Sequence, residues 1–142
     1  YNNNLTSIGD GTFAKLSGLE WLFLDNNQLT SLRPGMFTGL EARLFSLSLR
    51  GNWLKSLAAK TFAGLSQLRS LDLSDNSIGE IAANTFAKLA SLKTLYINKN
   101  QLKSLDSTTF AGLSGNLITL TLYNNNLTSI GDGTFAKLFG LE

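Results

Sequence analysis

Side chains that commonly carry catalysis are scarce in this sequence of 142 residues. It contains neither histidine nor cysteine, which excludes Ser-His and Cys-His nucleophile pairs and any imidazole or thiolate metal ligand. Asp72 and Asp75 are spaced closely enough to act as paired carboxylates, but paired acids need burial before one of them titrates near neutral pH. We interpret both as solvated charges at the edge of a strand, and we predict no catalytic residue, no metal site and no cofactor.

Aromatic and charged side chains offer a second chemistry, the binding of a partner. Exposed Trp and Tyr are frequent hot spots of binding surfaces, and Trp21 with Phe23 places two large apolar groups on one predicted strand face. Small polar residues occupy the middle of that face, and aromatic residues lie toward both ends. The predicted binding residues are Trp21, Phe23, Asp25, Arg50, Asp72, Tyr96, Asn98 and Tyr123. Their ligand is predicted to be a protein or a carbohydrate.

Two asparagines carry the acceptor motif for N-linked glycans. Asn4 and Asn126 each begin the sequence Asn-Leu-Thr, and each is expected on an exposed loop where a glycan has room. A three-residue motif also arises by chance, and here the two sites are copies of one sequence. We predict a glycoprotein that is located outside the cell or at the cell surface.

A single repeated skeleton positions these residues, and its most regular copy is segment 68–91. Leu71-Asp72-Leu73 alternates apolar and polar residues, as a strand with one buried face does. A turn is predicted at Asp75-Asn76, and the wider apolar spacing that follows does not support a continuous helix. One such coil cannot bury its leucines alone, whereas stacked copies can.

The predicted domain is one array over residues 1–142. It comprises a partial repeat at 1–18, full repeats at 19–43, 44–67, 68–91, 92–116 and 117–140, and the start of the next at 141–142. An asparagine side chain, which both donates and accepts hydrogen bonds, recurs where the chain leaves each strand. This predicted asparagine ladder consists of Asn3, Asn27, Asn52, Asn76, Asn100 and Asn125. A predicted aromatic spine consists of Phe13, Phe37, Phe62, Phe86, Phe110 and Phe135.

The full pattern is LxxLxLxxNxLxxLxxxxFxxLxx, with eight fixed positions in five successive copies. It resembles the leucine-rich repeat in its typical 24-residue form, as found in extracellular receptors and variable lymphocyte receptors. The resemblance implies an α/β solenoid, a right-handed superhelix with a parallel β-sheet on its concave side and irregular or short 3-10 or helical segments on its convex side. The chain departs from the receptors in lacking cysteine-rich caps, so we expect an uncapped array.

Composition limits the partners. The net charge of +2, with 15% charged residues, is too small to favour nucleic acid or an anionic membrane surface. The sequence has no apolar run of the roughly 20 residues that a membrane span requires, and we predict no direct membrane insertion.

Two functions remain after these exclusions. The varied side chains of the predicted concave face favour a non-enzymatic binding scaffold for a protein or carbohydrate. The alternative is a structural module, either one segment of a longer solenoid or a unit that associates head to tail into an extracellular fibre. The alternative is favoured by residues 1–20 and 123–142, which are identical except that Ser17 is replaced by Phe139; a head-to-tail contact that does not close produces filaments.

Overall fold

Short strands recur along the chain at the predicted period. The computed structural model describes residues 1–113 and 115–142, and in these it has nine strands. Their bounds are β1 Trp21–Phe23, β2 Ser46–Ser48, β3 Ser56–Leu57, β4 Ser70–Asp72, β5 Glu80–Ile81, β6 Thr94–Tyr96, β7 Ser104–Leu105, β8 Thr119–Thr121 and β9 Ser129–Ile130. Ser114, which belongs to the predicted repeat 92–116, lies outside the described residues.

One strand from each coil joins a parallel sheet of five strands, in the order β1-β2-β4-β6-β8. The central residue of each strand is an inward-facing leucine, and these leucines pair in register: Leu22, Leu47, Leu71, Leu95 and Leu120. The residues on either side of them face outward, because successive side chains of a strand point to opposite faces. The prediction of a solenoid built on a parallel sheet is confirmed. We call the outward face of this sheet the concave face.

The predicted return path of each coil was either irregular or a short helical segment, and the structure shows the irregular form. Two small parallel sheets, β3-β5 and β7-β9, lie after the asparagine turn. The rest of the return consists of single turns, such as the one in which the Leu40 N–H donates to the Phe37 carbonyl at 3.1 Å. Within residues 1–113 and 115–142 these turns do not extend into a helix. Left-handed residues interrupt them, including Gly39 with φ +101°.

The phenylalanine column forms a continuous stack, as predicted. Neighbouring rings lie 6.0 to 6.4 Å apart between centroids and are nearly parallel, at 7° to 21°, within the range of favourable aromatic pairs. Strands of a sheet lie only about 4.8 Å apart. Because the coils are spaced more widely at the phenylalanines than at the strands, the stack curves with the sheet on its inner side.

The ladder asparagines connect neighbouring coils through backbone groups. Asn52 is typical: its Oδ1 accepts from the Leu29 N–H of the preceding coil at 3.1 Å. Its Nδ2 donates to the Leu49 carbonyl of its own coil at 2.9 Å and to the Leu24 carbonyl of the preceding coil at 3.0 Å. Asn76, Asn100 and Asn125 have equivalent bonds on both sides, and Asn27 accepts from Leu5 and donates within its own coil.

Asn3 departs from this ladder. We expected the ladder to bury it, and that expectation is wrong, because Asn3 is exposed and its amide donates to the Tyr1 carbonyl at 3.1 Å. The physical reason is that the amide of a ladder asparagine is enclosed by the coil before it. The described chain has no coil before Asn3.

Candidate functional site

The concave face carries its largest exposed side chains on its first strand. Trp21 and Phe23 are both more than half exposed. Their partners in register are Ser46 and Ser48, whose small side chains leave open space beside the two rings. The alternation of β1 thus places an exposed aromatic patch next to the small side chains of β2.

Hydrogen bonds between successive coils fix the polar side chains of this face. The Ser48 hydroxyl donates to the Asp25 carboxylate. Within one coil, the Ser74 hydroxyl and backbone N–H donate to Asp72 Oδ1 at 2.6 and 2.9 Å. Ser48 and Ser74 are themselves buried. Asp25 and Asp72 are therefore held carboxylates rather than mobile charges.

Asn98 of the predicted binding set is more buried than strand alternation alone suggests. Its side chain is only 5% exposed, and its Oδ1 accepts from the Thr121 hydroxyl at 2.7 Å. The alternation of β6 correctly aims Asn98 away from the leucine core. The neighbouring coil covers most of it, so Asn98 contributes to the floor of the second depression rather than projecting from the face.

An ion-pair network links three successive coils at the end of the strands. Asp75 accepts from Arg50 Nε at 2.8 Å and pairs with Lys99 Nζ at 3.3 Å. Asp75 and Lys99 each directly precede a ladder asparagine, a position at which the backbone is left-handed, with φ +54° and +55°. Glycine or asparagine suits such a backbone best, and Gly51, Asn26 and Asn124 occupy it in other coils. The two charged residues occur there in spite of the backbone preference, which points to a role for their side chains.

Two depressions lie on either side of the Arg50–Asp75 pair. The first, of about 740 Å³, is lined by Tyr1, Asn2, Phe23, Asp25, Asn26, Arg50 and Asp75. The second, of about 240 Å³, is lined by Arg50, Asp72, Ser74, Asp75, Tyr96, Asn98, Lys99 and Tyr123. Each therefore combines two aromatic side chains with carboxylate, amide and guanidinium groups.

The structure brings seven of the eight predicted binding residues into these depressions and leaves one outside. Trp21 lines neither depression. It begins β1, whereas Arg50 follows the end of β2. Asp75, which lines both depressions, and Lys99, which lines the second, were not in the predicted set. Their position directly before a ladder asparagine was the available signal, since it places both at the same end of the sheet as Arg50.

The acids on this face do not form a catalytic pair. Asp72 is bonded to Ser74 and Asp75 to two cations, so each carboxylate has its own partners. Away from this face, hydrogen bonds lower the pKa of Asp106, first from the Thr108 side chain, then from the Thr108 backbone, and also from Thr109. In the described ranges, no group of His, Cys, Asp or Glu is arranged to hold a metal ion.

Both glycosylation candidates lie at the surface. Asn4 and Asn126 are exposed, each directly after a ladder position. Asn4 Oδ1 accepts from Gln28 Nε2 at 3.3 Å, and neither asparagine lines a depression of the concave face. Among residues 1–113 and 115–142, no helix is both long and apolar enough to cross a bilayer.

Comparison with known proteins gives one family across the whole chain. The family model described as "Leucine rich repeat" matches residues 1–52, 42–102 and 90–142. Reticulon-4 receptor-like 2, from both Rattus norvegicus and Homo sapiens, is 52% identical over 58 residues. That match covers 40% of this chain and 14% of the relative, so the chain spans a small part of the length of these receptor-like proteins.

Solved structures extend the likeness to nearly all of the chain. A chain of the Drosophila Toll–Spatzle complex is 31% identical, with a TM-score of 0.90, over 98% of this chain and 18% of its own length. A chain of the TLR13–ssRNA13 complex is 27% identical, with a TM-score of 0.72, over 95% of this chain and 22% of its own length.

Proposed function

Because the chain belongs to the leucine-rich repeat family, we propose that it is a non-enzymatic binding scaffold located outside the cell or at the cell surface. Its concave face holds the ligand, a protein or a carbohydrate. The observation that carries this proposal is the convergence of aromatic and charged side chains from several coils around Arg50 and Asp75. The Toll–Spatzle complex contains a similar solenoid together with a protein partner, which favours recognition of a ligand over catalysis. The exposed sequons at Asn4 and Asn126 favour the extracellular setting.

RNA is the less favoured ligand, although a similar chain occurs in a complex with ssRNA13. Binding of a phosphate backbone depends on an excess of Lys and Arg. Around the Arg50–Asp75 pair, the cations Arg50 and Lys99 are accompanied by the acids Asp72 and Asp75. A single-stranded RNA probe should therefore show no salt-dependent binding to this chain.

Substitution of exposed aromatic residues tests the concave face. We expect the double variant Trp21→Ala with Tyr96→Ala to reduce capture of ligands from an array of extracellular proteins and glycans by at least about tenfold, because a single aromatic hot spot often contributes more than 1 kcal/mol. The melting temperature should change little, since Trp21 is 58% exposed and Tyr96 is only half-buried. Trp53→Ala is the control, because Trp53 is 55% exposed and lies outside the five-stranded sheet. Equal capture by the double variant and the wild type would reject the concave face as the binding surface.

Assembly is the second candidate function, and the duplicated sequence favours it. Residues 1–20 of a second copy carry the same side chains as residues 123–142, apart from Ser17 and Phe139, so the same skeleton is available for packing between copies. Phe139 is exposed, and it adds apolar surface to one of the two segments. On this proposal, copies associate head to tail along the axis of the solenoid.

Sedimentation velocity over a range of concentrations tests the assembly proposal. We expect the wild-type chain to form oligomers whose mean mass rises with concentration, and Phe139→Ser to shift that rise to about tenfold higher concentration, because it removes one exposed aromatic ring. Lys15→Ser, at an exposed position of the first segment, is a control that removes a long side chain but no aromatic ring. A chain that stays monomeric at millimolar concentration rules the assembly proposal out.

A further inference from the structure

The two depressions of the concave face have the same chemistry and share one ion pair. Phe23 borders the first depression, Tyr96 and Tyr123 border the second, and Arg50 with Asp75 forms the boundary between them. A ligand that crosses this boundary meets an aromatic ring and a carboxylate on each side of the one shared guanidinium, with Asp25 in the first depression and Asp72 in the second. Such repetition suits a ligand that is itself made of repeated units.

Charge in the second depression is balanced. Its four charged side chains are Arg50, Lys99, Asp72 and Asp75, and the two cations are both bound to Asp75. A cationic ligand would be attracted by Asp72 but repelled by Arg50 and Lys99. An anionic ligand would be attracted by those two cations but repelled by Asp72 and Asp75. Neither sign of charge gains a net attraction in this depression. The first depression adds one further carboxylate, Asp25, which already accepts from the Ser48 hydroxyl. The face therefore favours a neutral ligand that both donates and accepts hydrogen bonds.

A protein segment is a poor match for this position, although not for the whole face. Charged residues are depleted at the centre of protein–protein interfaces, because a desolvated charge is costly unless every bond is remade. The centre here consists of ionised side chains. A protein ligand would instead find its apolar anchor at Trp21 and Phe23, away from the ion pairs.

The site is also rigid before a ligand arrives. Ser74 fixes Asp72 through two hydrogen bonds, and Asp75 is fixed by Arg50 on one side and Lys99 on the other. Fixed side chains lose little rotamer freedom on binding. They present carboxylate oxygens as acceptors and guanidinium N–H groups as donors, and a sugar hydroxyl can bond to both kinds of group.

We infer that the concave face binds a neutral oligosaccharide that crosses the Arg50–Asp75 pair. Sugar rings pack their C–H faces against Tyr96 and Tyr123 on one side and Phe23 on the other, while their hydroxyls bond to the fixed polar groups between. This inference rests on the proposed binding function and specifies the class of ligand.

Titration with defined oligosaccharides, followed by ¹H–¹⁵N NMR, tests this inference. The probes are maltohexaose, cellohexaose and chitohexaose, which are neutral, and a heparin hexasaccharide, which is anionic. We expect saturable shifts of the Arg50 Nε–H signal with at least one neutral probe, at a Kd below about 1 mM. Raising the salt from about 50 mM to about 500 mM should leave that Kd unchanged, because no net charge is paired.

Variants locate the site and separate it from an unspecific effect. Tyr123→Ala and Arg50→Gln should each weaken binding of the neutral oligosaccharide by about tenfold or more. Trp53→Ala is the matched control, because Trp53 and Tyr123 are almost equally exposed, at 55% and 58%, and only Tyr123 lines a depression. Equal effects of Tyr123→Ala and Trp53→Ala would overturn the inference.

The remaining outcomes distinguish this inference from the proposed function. Absence of saturable shifts with all three neutral probes, or binding of the heparin hexasaccharide alone with strong salt dependence, overturns the neutral-glycan inference. If capture of a protein ligand still depends on Trp21 and Tyr96, the binding function stands without it. If neither oligosaccharide nor any arrayed ligand is retained by the concave face, both are wrong.

Discussion

Replacing Phe86 with alanine is expected to lower the free energy of unfolding by about 3–5 kcal/mol. Phe86 is fully buried, at 0% exposure, and its ring is stacked between Phe62 at 6.2 Å and Phe110 at 6.3 Å. Alanine removes the ring from both stacks and leaves a cavity in the middle of the array. Because each coil of a solenoid contacts only its neighbours, the cavity should weaken the coupling between the two halves of the chain.

Urea denaturation followed by circular dichroism measures the effect of Phe86→Ala. The matched control is Phe135→Ala, since Phe135 is 37% exposed and stacks on Phe110 alone in the described chain. We expect it to cost only about 1–2 kcal/mol, in proportion to its smaller buried area. If Phe86→Ala leaves too little folded protein to measure, Phe86→Leu should cost about 1–2 kcal/mol and its matched control Phe135→Leu less. Equal losses at the two positions would mean that the stack is not the central support of the fold.

The aromatic stack was predictable from sequence because a solenoid converts spacing into position. Residues one repeat apart lie in the same place of neighbouring coils, so six phenylalanines at that spacing must form a column. The structure shows that column, with ring separations of 6.0 to 6.4 Å. The same rule predicted the in-register leucines of the sheet. The division of the chain into repeats at fixed boundaries stays a prediction, because adjoining coils merge without a break.

The composition of the site was only partly predictable. Strand alternation states which side chains leave the core, and it placed Phe23, Arg50 and Tyr96 correctly on the open face. It does not state which of them pair with one another. That pairing depends on the left-handed turn before each ladder asparagine, which brings Asp75 between Arg50 and Lys99.

Burial of outward-facing side chains was also hidden from the sequence. Asn98 has the same alternation as exposed residues, and its bond to Thr121 decides its exposure. The alternation of a strand predicts whether a side chain points toward or away from the core. Whether the neighbouring coil then covers that side chain depends on the size and polarity of a residue 23 positions away.

Replacement of a central ladder asparagine has the second large expected effect. Asn52→Leu is expected to lower the free energy of unfolding by about 2–3 kcal/mol, because it leaves the buried Leu29 N–H without an acceptor. The carbonyls that Asn52 bonds are less affected. Leu49 O also accepts from Asn76 Nδ2 at 3.0 Å, and Leu24 O also accepts from Asn27 Nδ2 at 2.9 Å, so each carbonyl keeps one partner.

Asn52→Asp separates the two halves of the amide. Its carboxylate retains the acceptor for Leu29 N–H, but it loses both donated bonds and places a buried negative charge beside the Leu24 and Leu49 carbonyls. An uncompensated buried charge costs about 3–5 kcal/mol. At pH 7 this variant should therefore be less stable than Asn52→Leu, although aspartate has nearly the same shape as the asparagine it replaces. Burial raises the pKa of such a carboxyl, and its protonated form donates again. The folded state then binds a proton more tightly than the unfolded state, so the stability of Asn52→Asp relative to wild type should rise as the pH falls through the raised pKa.

Urea denaturation at pH 7 and at about pH 5 measures both variants against Asn3→Leu, which serves as the control. Asn3 occupies the equivalent sequence position but is exposed and bonds only the Tyr1 carbonyl among the described residues, so its replacement should change stability by less than about 0.5 kcal/mol. A neutral Asn52→Leu would refute the ladder as a source of stability. An Asn52→Asp variant that equals the wild type at pH 7 would show that the donated bonds to Leu24 and Leu49 contribute nothing. The loss of stability should therefore increase in the order Asn3→Leu, Asn52→Leu, Asn52→Asp. All three replacements are at the same position of the repeat. They differ in whether a preceding coil encloses that position and in whether a charge is placed there.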